Sequence, residues 1–257
     1  MTDLATIADH LDALLGTHSI PDYPAALNGV QLENRGSITA IAAAVDISRR
    51  TIDGVVQNGA NLLLVHHGLF WGGVQPITGV VYERIRLLIA NDIAVYSSHL
   101  PLDAHPTFGN NALLARALDL QPSGGFARYK TIDIGIRGEC DRATDELLRQ
   151  VEAFALANGG AVRCTGFSTG RRTYRWGICT GAGASSETLL EARTLNLDTL
   201  IVGEGPHHTA VAADDLGIVV MYAGHYATET LGVRALADHL TTVFGMPSTF
   251  ISAPTGL

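Results

Sequence analysis

Apolar and polar positions along the chain alternate between two periods. Leu4, Ile7, Leu11, Leu14 and Leu15 recur at helical spacing and predict an opening helix. An irregular stretch, residues 21–33, follows. Residues 38–45 form a short apolar run ending at Asp46, the pattern of a buried strand, and Ser48 is placed to cap the helix after it. The pairing repeats: an apolar run over 62–65 leads into His66 and His67, a helical pattern covers 81–90, and a strand pattern over 93–97 closes on His99-Leu100-Pro101-Leu102-Asp103. A helix is expected from about 110 to 118.

Gln121-Pro122-Ser123-Gly124-Gly125 is the candidate linker. Beyond it Ile132, Ile134 and Ile136 alternate with polar or small residues, as in a half-exposed strand. Residues 141–157 predict an amphipathic helix stopped by Asn158-Gly159-Gly160. Strands are expected over 176–180, 199–202 and 217–222, and helices over 185–195, 211–216 and from 228 to about 240. Short β-branched runs between helices of this length indicate βα units, an α/β class and mostly parallel sheets.

The 257 residues allow one large α/β domain or two small lobes. With 47% hydrophobic and 16% charged residues the chain has the material for a packed core. The net charge of −8 argues against nucleic-acid or anionic-membrane partners, with Arg171 and Arg172 the candidate local basic pocket. No apolar run reaches the roughly 18 residues of a membrane span. Cys140, Cys164 and Cys179 form no CxxC pair and read as reduced, packed thiols. This odd, sparse count leads to the expectation of a cytoplasmic protein, and the opening Met1-Thr2-Asp3-Leu4 shows no evident signal-peptide pattern.

Four predicted strand ends carry candidate chemistry: His66-His67, His99 with Asp103, Glu204, and His225 with Glu229. Strand ends are where α/β sheets place their sites, and imidazole is the commonest metal ligand. Side chains alternate faces along a strand, so His66 and His67 cannot easily share one ion in extended geometry. Either the chain already turns at Gly68 or each histidine serves a different ion. His225 and Glu229, four apart, share a face if a helix begins near Gly224.

His66, His67, Asp103, His225 and Glu229 suit two divalent ions with one bridging carboxylate. One split puts Glu229 between them, His67 and His225 on one ion, His66 and Asp103 on the other. This donor set admits zinc, manganese, iron, cobalt or nickel, and not magnesium alone. His99 is a candidate for orienting a ligand, equally read as a loop-packing residue. Glu204 is a candidate general base or a carboxylate at the start of the next helix. Gly181-Ala182-Gly183-Ala184-Ser185 is a tight βα turn or a phosphate cradle, without the full pattern of either nucleotide-binding loop.

Leu64-Val65-His66-His67-Gly68-Leu69-Phe70-Trp71, His99-Leu100-Pro101-Leu102-Asp103-Ala104-His105-Pro106 with Gly109-Asn110-Asn111, and Ala223-Gly224-His225-Tyr226-Ala227-Thr228-Glu229 together resemble the NIF-three-like proteins, the GTP cyclohydrolase I type 2 homologues. Asn28-Gly29-Val30-Gln31, Ala44-Val45-Asp46 and Gly203-Glu204 are weaker matches. Gly205-Pro206-His207 is the departure from the pattern, which leaves roles for His207 and His208 open. The resemblance implies two α/β lobes, which the candidate linker divides into 1–125 and 126–257, with His225 and Glu229 returned to a dinuclear metal site in the cleft between them. It also implies a ring-shaped homohexamer and the same five ligands, and the length suggests the compact form without an inserted third domain. It points to a metal-dependent hydrolase in which an activated water attacks a purine nucleotide or similar small molecule, Glu204 or His99 moving the proton. The alternative is a non-catalytic metal-binding module, regulatory or metal-delivering, that acts through protein partners.

Overall fold

The computed structural model describes residues 2–257, which form two compact units. Among the described residues the first comprises 2–102 and 232–253; the second comprises 103–231 and 254–257. The chain therefore leaves the first unit after Leu102 and returns to it at Gly232.

The first unit is built on a five-stranded sheet. Its order is Ser248–Phe250, Ile41–Asp46, Leu62–His67, Ala94–Ser97 and Gly29–Leu32. The first four run parallel and the last is antiparallel. The central strand, Leu62–His67, is buried along its whole length, as a strand covered on both faces must be. Ala42, Ala44, Leu63, Val65 and Val95 point to one face, against Ile52, Val55 and Leu88 of the helices Arg49–Gln57 and Gly79–Ala90. Ser48 caps the first of these helices by accepting from Thr51 N. The opening helix, Leu4–Leu15, buries Ile7 and Leu11, and its Asp12 accepts from the Tyr96 hydroxyl at 2.7 Å.

The second unit carries a six-stranded mixed sheet in the order Pro122–Tyr129, Ile132–Ala143, Arg172–Cys179, Thr199–Val202, Val219–Tyr222, Arg163–Cys164. Its three central strands are parallel and its flanks antiparallel. Alternation along them fills both faces. Trp176, Ile178, Ile201, Val219 and Met221 pack with Leu114, Leu147 and Val151 on one side. Leu200, Val202 and Val220 pack with Leu189, Ala192 and Ala213 on the other.

Several expectations need correction. The segment 121–125 is no linker: Pro122–Tyr129 is an edge strand, paired from Pro122↔Gly138 to Tyr129↔Ile132. The units thus divide at Leu102/Asp103 and Leu231/Gly232 instead of near 125. Residues 141–143 finish a strand, and the helix begins at Thr144. Arg171 and Arg172 form no basic pocket. Arg171 donates to Asp198 O and Gly217 O, and Arg172 is paired with Asp141. Among the described residues no helix is long and apolar enough to cross a membrane.

Candidate functional site

In the first unit three imidazoles gather at the C-terminal end of the sheet. His66 is fully buried and His67 is 8% exposed. They anchor to opposite sides of their strand. His66 Nδ1 donates to Ser98 O at 2.9 Å, beyond one neighbouring strand, and His67 Nδ1 donates to Asp46 Oδ1 at 2.9 Å, at the end of the other. His99 Nδ1 donates to Asp22 Oδ1 at 2.8 Å. A carbonyl and two carboxylates accept, so Nδ1 of each ring is the donor and Nε2 is left facing away from these tethers. Ring nitrogens of the three lie within 4.8 Å of one another. The alternation along the strand is resolved by these lateral tethers, which bring the His66 and His67 rings to 4.8 Å between centroids.

The irregular segment 21–33 turns out to be the clasp of this cluster. Burial pushes the Asp22 carboxyl up, but the His99 imidazole, Asn28 and the Tyr23 N–H outweigh it and hold it below the ordinary range. Asn28 donates to Asp22 Oδ2 at 2.8 Å and accepts from His99 N at 2.7 Å. Gln31 accepts from Leu69 N at 2.7 Å. Its amide fills the space beside Gly68, where a Cβ would come within 2.3 Å of it. Asp22, Asn28 and Asp46 hold these histidines and were left unassigned by sequence reasoning; weak motif matches touched Asn28 and Asp46, and nothing pointed to Asp22. Trp71 packs over His67 and His99, at 4.8 and 4.5 Å between centroids.

In the second unit the remaining candidates also sit beyond strand ends. His225 opens the short helix His225–Thr228. Its Nδ1 donates to Glu204 Oε1 at 2.9 Å, and its Nε2 lies 3.1 Å from Glu229 Oε2. Burial disfavours charge on this ring, but Glu229 and then Glu204 overcome it and raise the pKa to about 9. Glu204 therefore acts on His225. Asp103 and Glu229 are buried, and the charges of both help burial to push the Cys179 thiol upward. Asn110 donates to Asp103 Oδ1 at 2.8 Å, and Asn111 holds Asp103 O and Ile134 O while accepting from Thr180 N. The Gly109-Asn110-Asn111 motif is thus the carboxylate's support.

The glycine-rich turn after Cys179 is a tight βα connection. Its backbone is engaged with the next strand end through Glu204 N→Gly181 O and Ala184 N→Glu204 O. Ser185 and Thr188 form a reciprocal cap on the following helix. Gly181 has φ +62°, and a Cβ there would lie 2.1 Å from Glu229 Oε1. His207 and His208 begin the helix His207–Leu216 and are exposed.

The donor sets fit divalent metal. Each imidazole has Nδ1 tied to an acceptor, which leaves Nε2 as the ligand atom, and in His225 that atom faces the buried Glu229 carboxylate. Fold and site together define an α/β protein of two sheet units bearing oriented imidazole and carboxylate groups. The sequence profile of the Duf34/NIF3 family (NGG1p interacting factor 3) matches residues 2–255, and the chain belongs to that family. It is 41% identical over 260 residues to a GTP cyclohydrolase 1 type 2 homolog of Deinococcus radiodurans, covering 97% of this chain and 94% of that one. A Pyrococcus horikoshii protein of the same description is 38% identical, with 99% and 100% covered. Among solved structures, protein ybgI, of unknown function, superposes with a TM-score of 0.90 at 33% identity, and a Thermus thermophilus protein with 0.85 at 32%, both covering 100% of each chain.

Proposed function

We propose that this chain is a metal-dependent hydrolase whose two divalent ions are held by His66, His67, Asp103, His225 and Glu229. The observation that carries the reading is the shared wiring of the imidazoles: His66, His67 and His225 each present Nε2 because Nδ1 is tied to an oxygen acceptor. The path of the chain supports joint use of the two sets. Asp103 is the first residue after the chain leaves one unit, and Glu229 lies just before it returns.

When bound, such ions lower the pKa of a water and stabilise developing negative charge. The protein's own residues do the rest. His99, backed by the ionised Asp22, takes and returns the proton. Glu204 is a positioning residue that acts through His225. Relatives described as GTP cyclohydrolase 1 type 2 homologs support testing GTP, and then other purine nucleotides, as substrates. The working form is taken to be a cytoplasmic homohexamer, to be checked by light scattering on the eluted protein.

Elemental analysis of protein purified without a metal-affinity tag should find two ions per chain, drawn from zinc, manganese, iron, cobalt and nickel. His66→Ala and Glu229→Ala should each strip metal; unchanged stoichiometry in both overturns the site. Full metal loading without turnover of GTP under any of these ions would remove the purine chemistry and leave a metal-binding module.

A further inference from the structure

Within the first unit a cavity of about 500 Å³ adjoins His67. That size suits a small molecule. Phe70, Trp71, Val81 and Ile85 make its walls apolar and aromatic, and Arg84 also lines it. Arg84 is half-buried. On the helix Gly79–Ala90 it lies between Val81 and the fully buried Leu88, on the face turned inward. Arg86, on the outer face, is paired with Glu83 at 2.8 Å. Arg84 Nε is buried and has no hydrogen-bond partner among the described residues. A guanidinium cannot shed its charge, so this half-buried cation with a covered, unpartnered Nε favours an anion entering the cavity. Asp46 borders the same cavity, but its Oδ1 is engaged by His67.

We propose that this cavity binds a planar aromatic ligand bearing one anionic oxygen group, the ring against Phe70 and Trp71 and the anion on Arg84. This rests on the hydrolase reading and deepens it, because His67 is part of the wall, and it states which features of a substrate that wall would take. The binding claim itself requires no metal.

Calorimetry on chelator-treated protein provides the test, with 2-naphthoate and 1-naphthyl phosphate as probes and 2-naphthamide as the neutral control. The better of the two anions should bind at least about tenfold more tightly than the amide. Arg84→Met should remove that preference and leave amide binding unchanged, while Arg84→Lys keeps part of it. The ratio between carboxylate and phosphate then tells which oxygen group the site prefers. Absence of binding by all three probes, or equal anion binding by Arg84→Met and wild type, overturns the proposal. So does silence towards the probes combined with dissociation of the assembly in Arg84→Met, which would assign the cavity to a second copy of the chain. Metal content measured on the same preparations separates the two ideas: naphthoate binding by a protein that never holds metal would sink the hydrolase reading and keep the cavity.

Discussion

Single side chains do most of the aiming in this protein. Asp46 is half-exposed, yet it fixes the tautomer of His67. Such orienting groups are worth roughly 10–100-fold in metal affinity. Asp46→Ala should therefore weaken metal binding by about that factor without unfolding the chain, read by competition with a chromophoric chelator. His225 supplies a pH test. In metal-free protein its pKa is raised from 6.5 to about 9, so the folded state holds this proton more tightly than the unfolded one. Its contribution to stability is complete below about pH 6.5 and disappears as pH rises through about 9. Glu204→Gln should lower the melting temperature of metal-free protein at pH 6, and the gap to wild type should close by pH 10. A gap that widens with pH would show that Glu204 stabilises by another route. The five candidate ligands were legible because histidines and carboxylates stand out at the ends of apolar runs. Asp22 was not, since nothing local distinguishes an acidic residue whose partner, His99, lies far along the chain.

Elements with strong periodicity were read correctly: the strands ending at Asp46, His67 and Val202 appear where apolar runs meet turn signals. The edges were harder. The hairpin of Pro122–Tyr129 and Ile132–Ala143 turns through two residues with Lys130 at φ +50°, a place where glycine or asparagine is the usual sign. Gly124 and Gly125 imitated a linker while serving as strand residues under Arg137 and Asp133. Ser248–Phe250 is too short to show a period and is recruited by its neighbour, Ile41–Asp46. Tight turns give the element-level prediction. Gly181→Ala forces a Cβ into Glu229 at a left-handed φ, so it should cost about 1–3 kcal/mol and displace the carboxylate. Calorimetric unfolding and metal content should fall together. Ser185→Ala, which only removes a helix cap, should cost about 1 kcal/mol and leave metal content intact.

For the whole molecule, two α/β units were expected and are present, but their boundaries follow contacts and not sequence order. A fragment of residues 1–125 keeps most of the first unit yet lacks Gly232–Ala253, including the edge strand Ser248–Phe250. It also carries the orphaned start of the strand Pro122–Tyr129. It should fail to unfold cooperatively in a denaturant titration followed by circular dichroism. A sharp two-state transition would show that the first unit is complete without its returning segment. Composition could not reveal this, because the turn from Leu102 to Asp103 falls inside a short helix with no glycine or serine run to mark it.

That return also sets a schedule for synthesis. A ribosome makes Ile41–Asp46 early and Ser248–Phe250 late, after the residues between the two crossings. The second unit can begin to organise while the first still shows an open parallel edge. During that interval the nascent chain carries a docking rim for stray strands. Its yield in the cell should therefore depend on how quickly translation delivers the closing strand, or on a chaperone that shields the rim until it comes.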